Sequence, residues 1–123
     1  MKITKKATNT EFNEALEFYL DKHLISHVER LVGEDDSVSL SIEVGKMSRH
    51  HNKGDVFRAE ATLFVDGTTL RAEAERDDLH VAIDGTREEL VRELTKLRKK
   101  RFSLIKRGGH KIKNFLKGFN ADR

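Results

Sequence analysis

Phe57-Arg58-Ala59-Glu60-Ala61-Thr62-Leu63-Phe64-Val65-Asp66-Gly67-Thr68-Thr69-Leu70-Arg71-Ala72-Glu73-Ala74 alternates apolar and polar residues on both sides of Asp66-Gly67. Successive strand side chains point to opposite faces. Phe57, Ala59, Ala61, Leu63 and Val65 therefore share one face with Leu70, Ala72 and Ala74, while Arg58, Glu60, Thr62, Thr69, Arg71, Glu73 and Glu75 share the other. Asp-Gly is the pair a two-residue type I′ turn requires, because both central residues take positive φ. The stretch is a β-hairpin with one buried face.

Upstream, Val38, Leu40, Ile42 and Val44 alternate with Ser37, Ser39, Ser41 and Glu43, predicting a third strand of the same kind. Lys46 to Gly54 is polar and reads as a loop. Earlier still the period changes. Phe12, Ala15, Leu16, Tyr19, Leu20, Leu24, Val28 and Leu31 form a helical stripe, with Thr10 as the expected N-cap and Gly33 as the stop. Residues 2–8 read as an edge strand. Downstream, Asp77 or Asp78 caps a second helix with the stripe Leu79, Ile83, Leu90, Leu94 and Leu97. Gly85 falls on its polar side, and no proline breaks it before Gly108-Gly109.

One-sided strands must be covered on their apolar face. The reading is an α/β two-layer (α+β) fold, βαβββα, with a four-stranded mixed sheet and both helices on one face. The first helix crosses over between two parallel strands. The domain spans residues 1–107, and residues 108–123 form a basic amphipathic tail.

Length and composition fit one small domain: 123 residues, no cysteine, and no apolar run near the ~20 residues of a membrane helix. The absence of thiols excludes disulfides and suits a reducing compartment. Met1 to Ala7 has no apolar signal core, so a cytoplasmic location is expected. The net charge of +3 conceals its distribution. Residues 1–75 hold 10 Lys/Arg and 14 Asp/Glu, whereas residues 76–123 hold 14 and 7. From Arg92 onward, 12 basic residues face only Glu93 and Asp122. A helix dipole accounts for a few cations in a last turn, not for a dozen. Such an excess is a footprint for a polyanion.

The sequence also resembles the ribosome hibernation-promoting and ribosome-associated inhibitor family, in its short form. The residues that carry this are Asn13-Glu14-Ala15-Leu16, Asp66-Gly67 and above all Asp78-Leu79-His80-Val81-Ala82-Ile83-Asp84-Gly85, together with the element order over about residues 1–101. The resemblance implies a non-catalytic translation inhibitor acting in stress. It would bind the decoding region of the small ribosomal subunit and block mRNA and tRNA. It implies basic helix contacts to ribosomal RNA and places Arg92, Lys96, Arg98 and Lys100 where the family has basic residues. Glu89 stands where the family commonly has Lys, and His80 where it commonly has an aromatic. The first helix has only Lys22 and Arg30 where several lysines are usual.

On the residues themselves, Arg92, Lys96 and Lys99 fall on one side of the second helix, opposite Leu90, Leu94 and Leu97. The row spans about 10 Å, with Arg98 and Lys100 beside it. The bland alternative is a solvated face. The expected RNA-binding set is Lys22, Arg92, Lys96, Arg98, Lys99, Lys100, Lys106, Arg107, Lys111 and Lys113. Ile112, Phe115 and Leu116 lie among the tail's lysines, so the tail could follow RNA or ribosomal protein, cover the core, or lie on an anionic membrane. Arg58 and Arg71 are expected to pair across strands with Glu60 or Glu73. His50-His51 lacks a third ligand and is flanked by Arg49 and Lys53, so no metal is expected there.

No nucleophile elbow, phosphate loop or metal-ligand spacing is present, so no enzyme, cofactor or small-molecule substrate is expected. The expected state is a monomer off the membrane. Two other classes stay open: a general double-stranded RNA-binding module, and a basic partner- or membrane-binding adaptor. The first lacks a leading strand and usually starts its second helix with lysines, where this chain has Asp77 and Asp78. The second rests on the tail alone.

Overall fold

The computed structural model describes residues 1–47 and 54–107. The elements are β1 (Lys2–Thr8), α1 (Glu14–Leu20), a π-helical turn (Asp21–Ile25), α2 (Ser26–Val32), β2 (Ser39–Met47), β3 (Val56–Val65), β4 (Thr68–Arg76) and α3 (Leu79–Arg107). The sheet order is β1-β2-β3-β4. β1 runs parallel to β2, and the other two pairs are antiparallel. This is the βαβββα mixed sheet that alternation predicts. Histidines 50 and 51 and the tail from Gly108, with Lys111 and Lys113, lie outside the described residues.

The chain divides into two compact units, residues 1–93 and the segment from Leu94 onward. In the first unit, Val38, Leu40, Ile42, Val44, Ala59, Ala61, Leu63, Val65, Ala72 and Ala74 are all buried, one face of three strands. The helices pack on that face. Thr86 in α3 donates its hydroxyl to the carbonyl of Ala59 in β3 at 3.0 Å and sits close to that of Ala82, 2.9 Å away. Lys5, on β1, reaches Glu17 and Asp21 at 3.1 Å each and ties the edge strand to the first helix. Leu70 is only half-buried, against expectation. It lies on strand β4 near the hairpin turn, where among the described residues no further strand screens it.

The hairpin turn has positive φ at both Asp66 (53°) and Gly67 (73°), the type I′ geometry. Aspartate tolerates this region and glycine has no Cβ to clash. The N-cap of α1 is Asn13, not Thr10. Its side-chain oxygen accepts from the Leu16 amide at 2.9 Å. Burial begins at Leu16, while Phe12 stays exposed, so a turn starting at Thr10 would cover nothing.

The stripe of the first helix is kept in phase by a device the sequence does not announce. Leu16, Leu20, Leu24 and Val28 recur every four residues, which drifts about 40° per step on a 3.6-residue turn. The π turn takes one more residue, with the Ser26 amide bonded to the Asp21 carbonyl, and re-phases the stripe. Leu24 and Ile25 are then both buried. Ile25 was absent from the predicted stripe for this reason.

Gly85 does not lie on a free polar side. A Cβ there would come within 3.1 Å of the Ala74 Cβ and 3.3 Å of the Arg76 guanidinium. The missing side chain lets α3 sit against β4.

The opposite sheet face is open and electrically balanced. The register aligns Lys6, Glu43, Glu60 and Glu73 across four strands. Arg58 bridges Glu60 at 3.0 Å and also hydrogen-bonds Glu73, the cross-strand pairing expected of it. Four cations, Lys2, Lys6, Arg58 and Arg71, share this face with four carboxylates, Glu43, Glu60, Glu73 and Glu75. The basic excess of the chain is therefore elsewhere.

Candidate nucleic-acid interface

The basic excess lies on α3. Asp78 opens this helix by accepting from the Val81 amide at 3.1 Å, and 29 residues follow without a break. The first turns are spent on packing: Ala82, Ile83, Thr86 and Leu90 are buried in the first unit. Arg92, at the end of that unit, is exposed.

In the second unit the helix changes character. Leu94 is buried, Leu97 is half-buried, and Phe102 and Leu104 are exposed. Between Leu94 and Arg107 there are seven Lys/Arg residues and no carboxylate. Lys96, Arg98, Lys99, Lys100 and Lys106 are all exposed. A helix advances 100° per residue, so Lys96 and Lys99 share one side. A helix C-terminus favours such cations. Arg107 ends α3.

Of the other predicted contacts, Lys22 lies on the π turn. Its ammonium stands 5.8 Å from the ring centre of Phe18, and acids surround it in sequence: Glu14, Glu17 and Asp21. It does not belong to the acid-free run. Among the described residues there is no group of three or more His, Asp or Glu able to hold a metal ion, and no helix long and apolar enough to cross a membrane.

A second cluster escaped the sequence reading. The Tyr19 ring is stacked between two imidazoles, His23 at 4.0 Å and His80 at 4.2 Å between ring centres. Its hydroxyl donates to the Asp84 carboxylate, 2.9 Å from either oxygen. Arg87 lies 3.5 Å from Asp84 and donates to the carbonyl of His23 at 3.2 Å. Asp84 is thus the acceptor that joins the first helix to α3. The signal was present in the spacing: Tyr19 and His23 are one turn apart, as are His80, Asp84 and Arg87 along α3.

Burial, followed by the Asp84 hydrogen bond, raises the Tyr19 pKa above its usual value. The neutral phenol is favoured in the folded state. Its contribution to stability is complete below the unfolded value of about 10 and is lost as pH rises through the raised folded value. Tyr19→Phe should cost about 1–2 kcal/mol at neutral pH, since Asp84 loses a donor but stays partly solvated. In urea titrations the wild-type advantage should be flat up to about pH 10 and then shrink. A variant as stable as wild type at pH 7 would remove the hydrogen bond from the account.

The sequence matches the family described as Sigma 54 modulation protein / S30EA ribosomal protein over residues 3–101. This chain belongs to that family. A ribosome hibernation promoting factor of Escherichia coli is 32% identical over 97 residues, which is 78% of this chain and 92% of that protein. A ribosome hibernation promotion factor of Picosynechococcus is 24% identical over 102 residues, 83% of this chain. The chain spans about half the length of that relative, 51% of it.

Two solved structures share the family fold. The N-terminal domain of Protein Y from Thermus thermophilus has a TM-score of 0.58 at 23% identity, covering 80% of this chain and 98% of its own. A ribosomal subunit interface protein from Coxiella burnetii has a TM-score of 0.59 at 21% identity, covering 80% and 99%. The family match takes in the sheet from Ile3, the Tyr19 cluster and α3 as far as Arg101. Phe102 to Arg107 extend α3 beyond it.

Proposed function

We propose that this chain binds the small ribosomal subunit in its decoding region and halts translation by occupying the place of mRNA and tRNA. The observation that carries the reading is the acid-free cationic run on α3, with Lys96, Arg98, Lys99, Lys100 and Lys106 exposed, in a member of a family whose relatives are named ribosome hibernation promoting factors. Blocking of this kind needs shape and charge only. No bond is made or broken, and no cofactor is called for. Arg92, Lys96, Lys99 and Lys100 contact ribosomal RNA phosphates in this reading, with Arg98 and Lys106 beside them. Lys22, Arg107, Lys111 and Lys113 are further contacts of the same proposal. The protein acts in the cytoplasm as a monomer, its residues 1–107 serving as the ribosome-binding domain and 108–123 as an accessory tail.

Phosphate contacts release condensed counterions, so affinity should fall steeply with salt. The deciding experiment adds the purified protein to an in-vitro translation reaction and to small subunits carrying labelled initiator tRNA. Translation should stop, and the tRNA should be displaced. Undiminished translation with tRNA still bound at saturating protein rejects the reading.

A further inference from the structure

The C-terminal part of α3 carries an aromatic ring where a helix meant only for solubility would not. Phe102 is 58% exposed. The Lys106 ammonium stands 5.3 Å from its ring centre. At 100° per residue, Arg98, Lys99 and Lys106 lie within about 60° of Phe102, so the ring is the apolar centre of a cationic face. Lys99 and Lys106 are about 10 Å apart along the axis at the helical rise.

Exposure alone does not make such a site. Phe18 is more exposed, at 66%, and also has a lysine over its ring. Its neighbours, however, include Glu14, Glu17 and Asp21, which repel a phosphate chain. Between Leu94 and Arg107 no acid is present to do so. Charge therefore selects the partner of Phe102: a polyanion that also offers a flat apolar face. A paired duplex hides its base faces. An unpaired nucleotide presents one, and aromatic side chains stack on it.

We propose that Phe102 is a base-stacking site for an unpaired RNA nucleotide, with Lys99 and Lys106 on the flanking phosphates. The proposal rests on the ribosome-binding reading for its biological target, and it adds a contact beyond the segment that matches the family. It gives this chain a preference for single-stranded over duplex RNA that cations by themselves do not supply.

The chain has no tryptophan, so Phe102→Trp introduces a single reporter in the full-length protein. The probes are a ten-nucleotide single-stranded RNA and a blunt RNA duplex of equal length. Trp emission should be quenched by the single strand and unaffected by the duplex at matched occupancy. Phe102→Leu keeps an apolar side chain but removes the stacking face. It should weaken single-strand binding about tenfold, within the range found for one stacked base. Duplex affinity and the salt slope should not change, because the phosphate contacts remain. Equal loss on both probes, or no quenching with full Phe102→Leu affinity, overturns the proposal. So does selective protection of Phe102 by a ribosomal protein in place of RNA. Binding of wild type and Phe102→Leu to small subunits is measured beside these. Equal affinity there with equal single-strand affinity rejects the stacking site and leaves ribosome binding intact. A wild type that stacks on the oligonucleotide but ignores ribosomes rejects only the functional reading.

Discussion

Leu90→Ala is expected to lower the stability of the domain by about 2–5 kcal/mol, the range for truncating a buried leucine. Leu90 is 1% exposed and is among the largest fully buried side chains of the first unit. Removing it loses the transfer energy of the deleted carbons and leaves a cavity that the backbone of α3 and the sheet can only partly close. Thr86 fixes α3 to the Ala59 carbonyl one turn earlier, and the Ala74 Cβ limits approach at Gly85. The helix is thus poorly able to slide inward, which favours the upper half of the range. A domain of this size has a stability of only about 5–15 kcal/mol, so a large fraction is at stake. Chemical denaturation with the slope unchanged would give the number directly. A loss below about 1 kcal/mol would mean that the site collapses freely and that packing on α3 is looser than the burial implies.

Changing Arg92, Lys96 and Lys99 together to Gln has its large effect on binding and almost none on folding. All three are exposed on α3, and exposed helix charges contribute little to stability. Each phosphate contact releases close to one counterion, so the slope of log affinity against log salt should flatten by about 2–3. Affinity for small subunits at low salt should fall by about tenfold or more. Free RNA duplexes would lose affinity in the same direction, so the measurement uses small subunits with duplex competitor. A triple variant with wild-type affinity and slope assigns the row to solubility. One that melts early assigns it to folding, through interactions such as those Lys96 makes within the protein.

The strand pattern, the Asp66-Gly67 turn, the cap at Asp78, the stop at Gly33 and the charge asymmetry were all legible in the chain. Each depends on neighbours a few residues apart: side-chain alternation, positive φ at a two-residue turn, orphan amides at a helix start. Local periodicity also marked Leu40, Ile42, Ala61, Leu63, Ile83, Leu90 and Leu94 for burial, and each is buried. The acid-free run needed only counting.

What the tertiary structure decided involves partners far apart in the chain. Tyr19 meets Asp84 across 65 positions, and Arg87 meets the His23 carbonyl across 64. No local pattern pairs them, because each residue also has an ordinary reading on its own helix. The π turn is of the same kind. Its cost in hydrogen-bond geometry is offset only when Leu24 and Ile25 are both buried, and the core that buries them is assembled from segments on either side in sequence. Leu70 shows the converse: a correct face assignment does not fix burial, because depth depends on whether another strand lies beyond. The sequence by itself determined which face each side chain takes and where the charge accumulates. The three-dimensional arrangement decided which faces meet, since burial and long-range hydrogen bonds exist only once the chain has closed on itself.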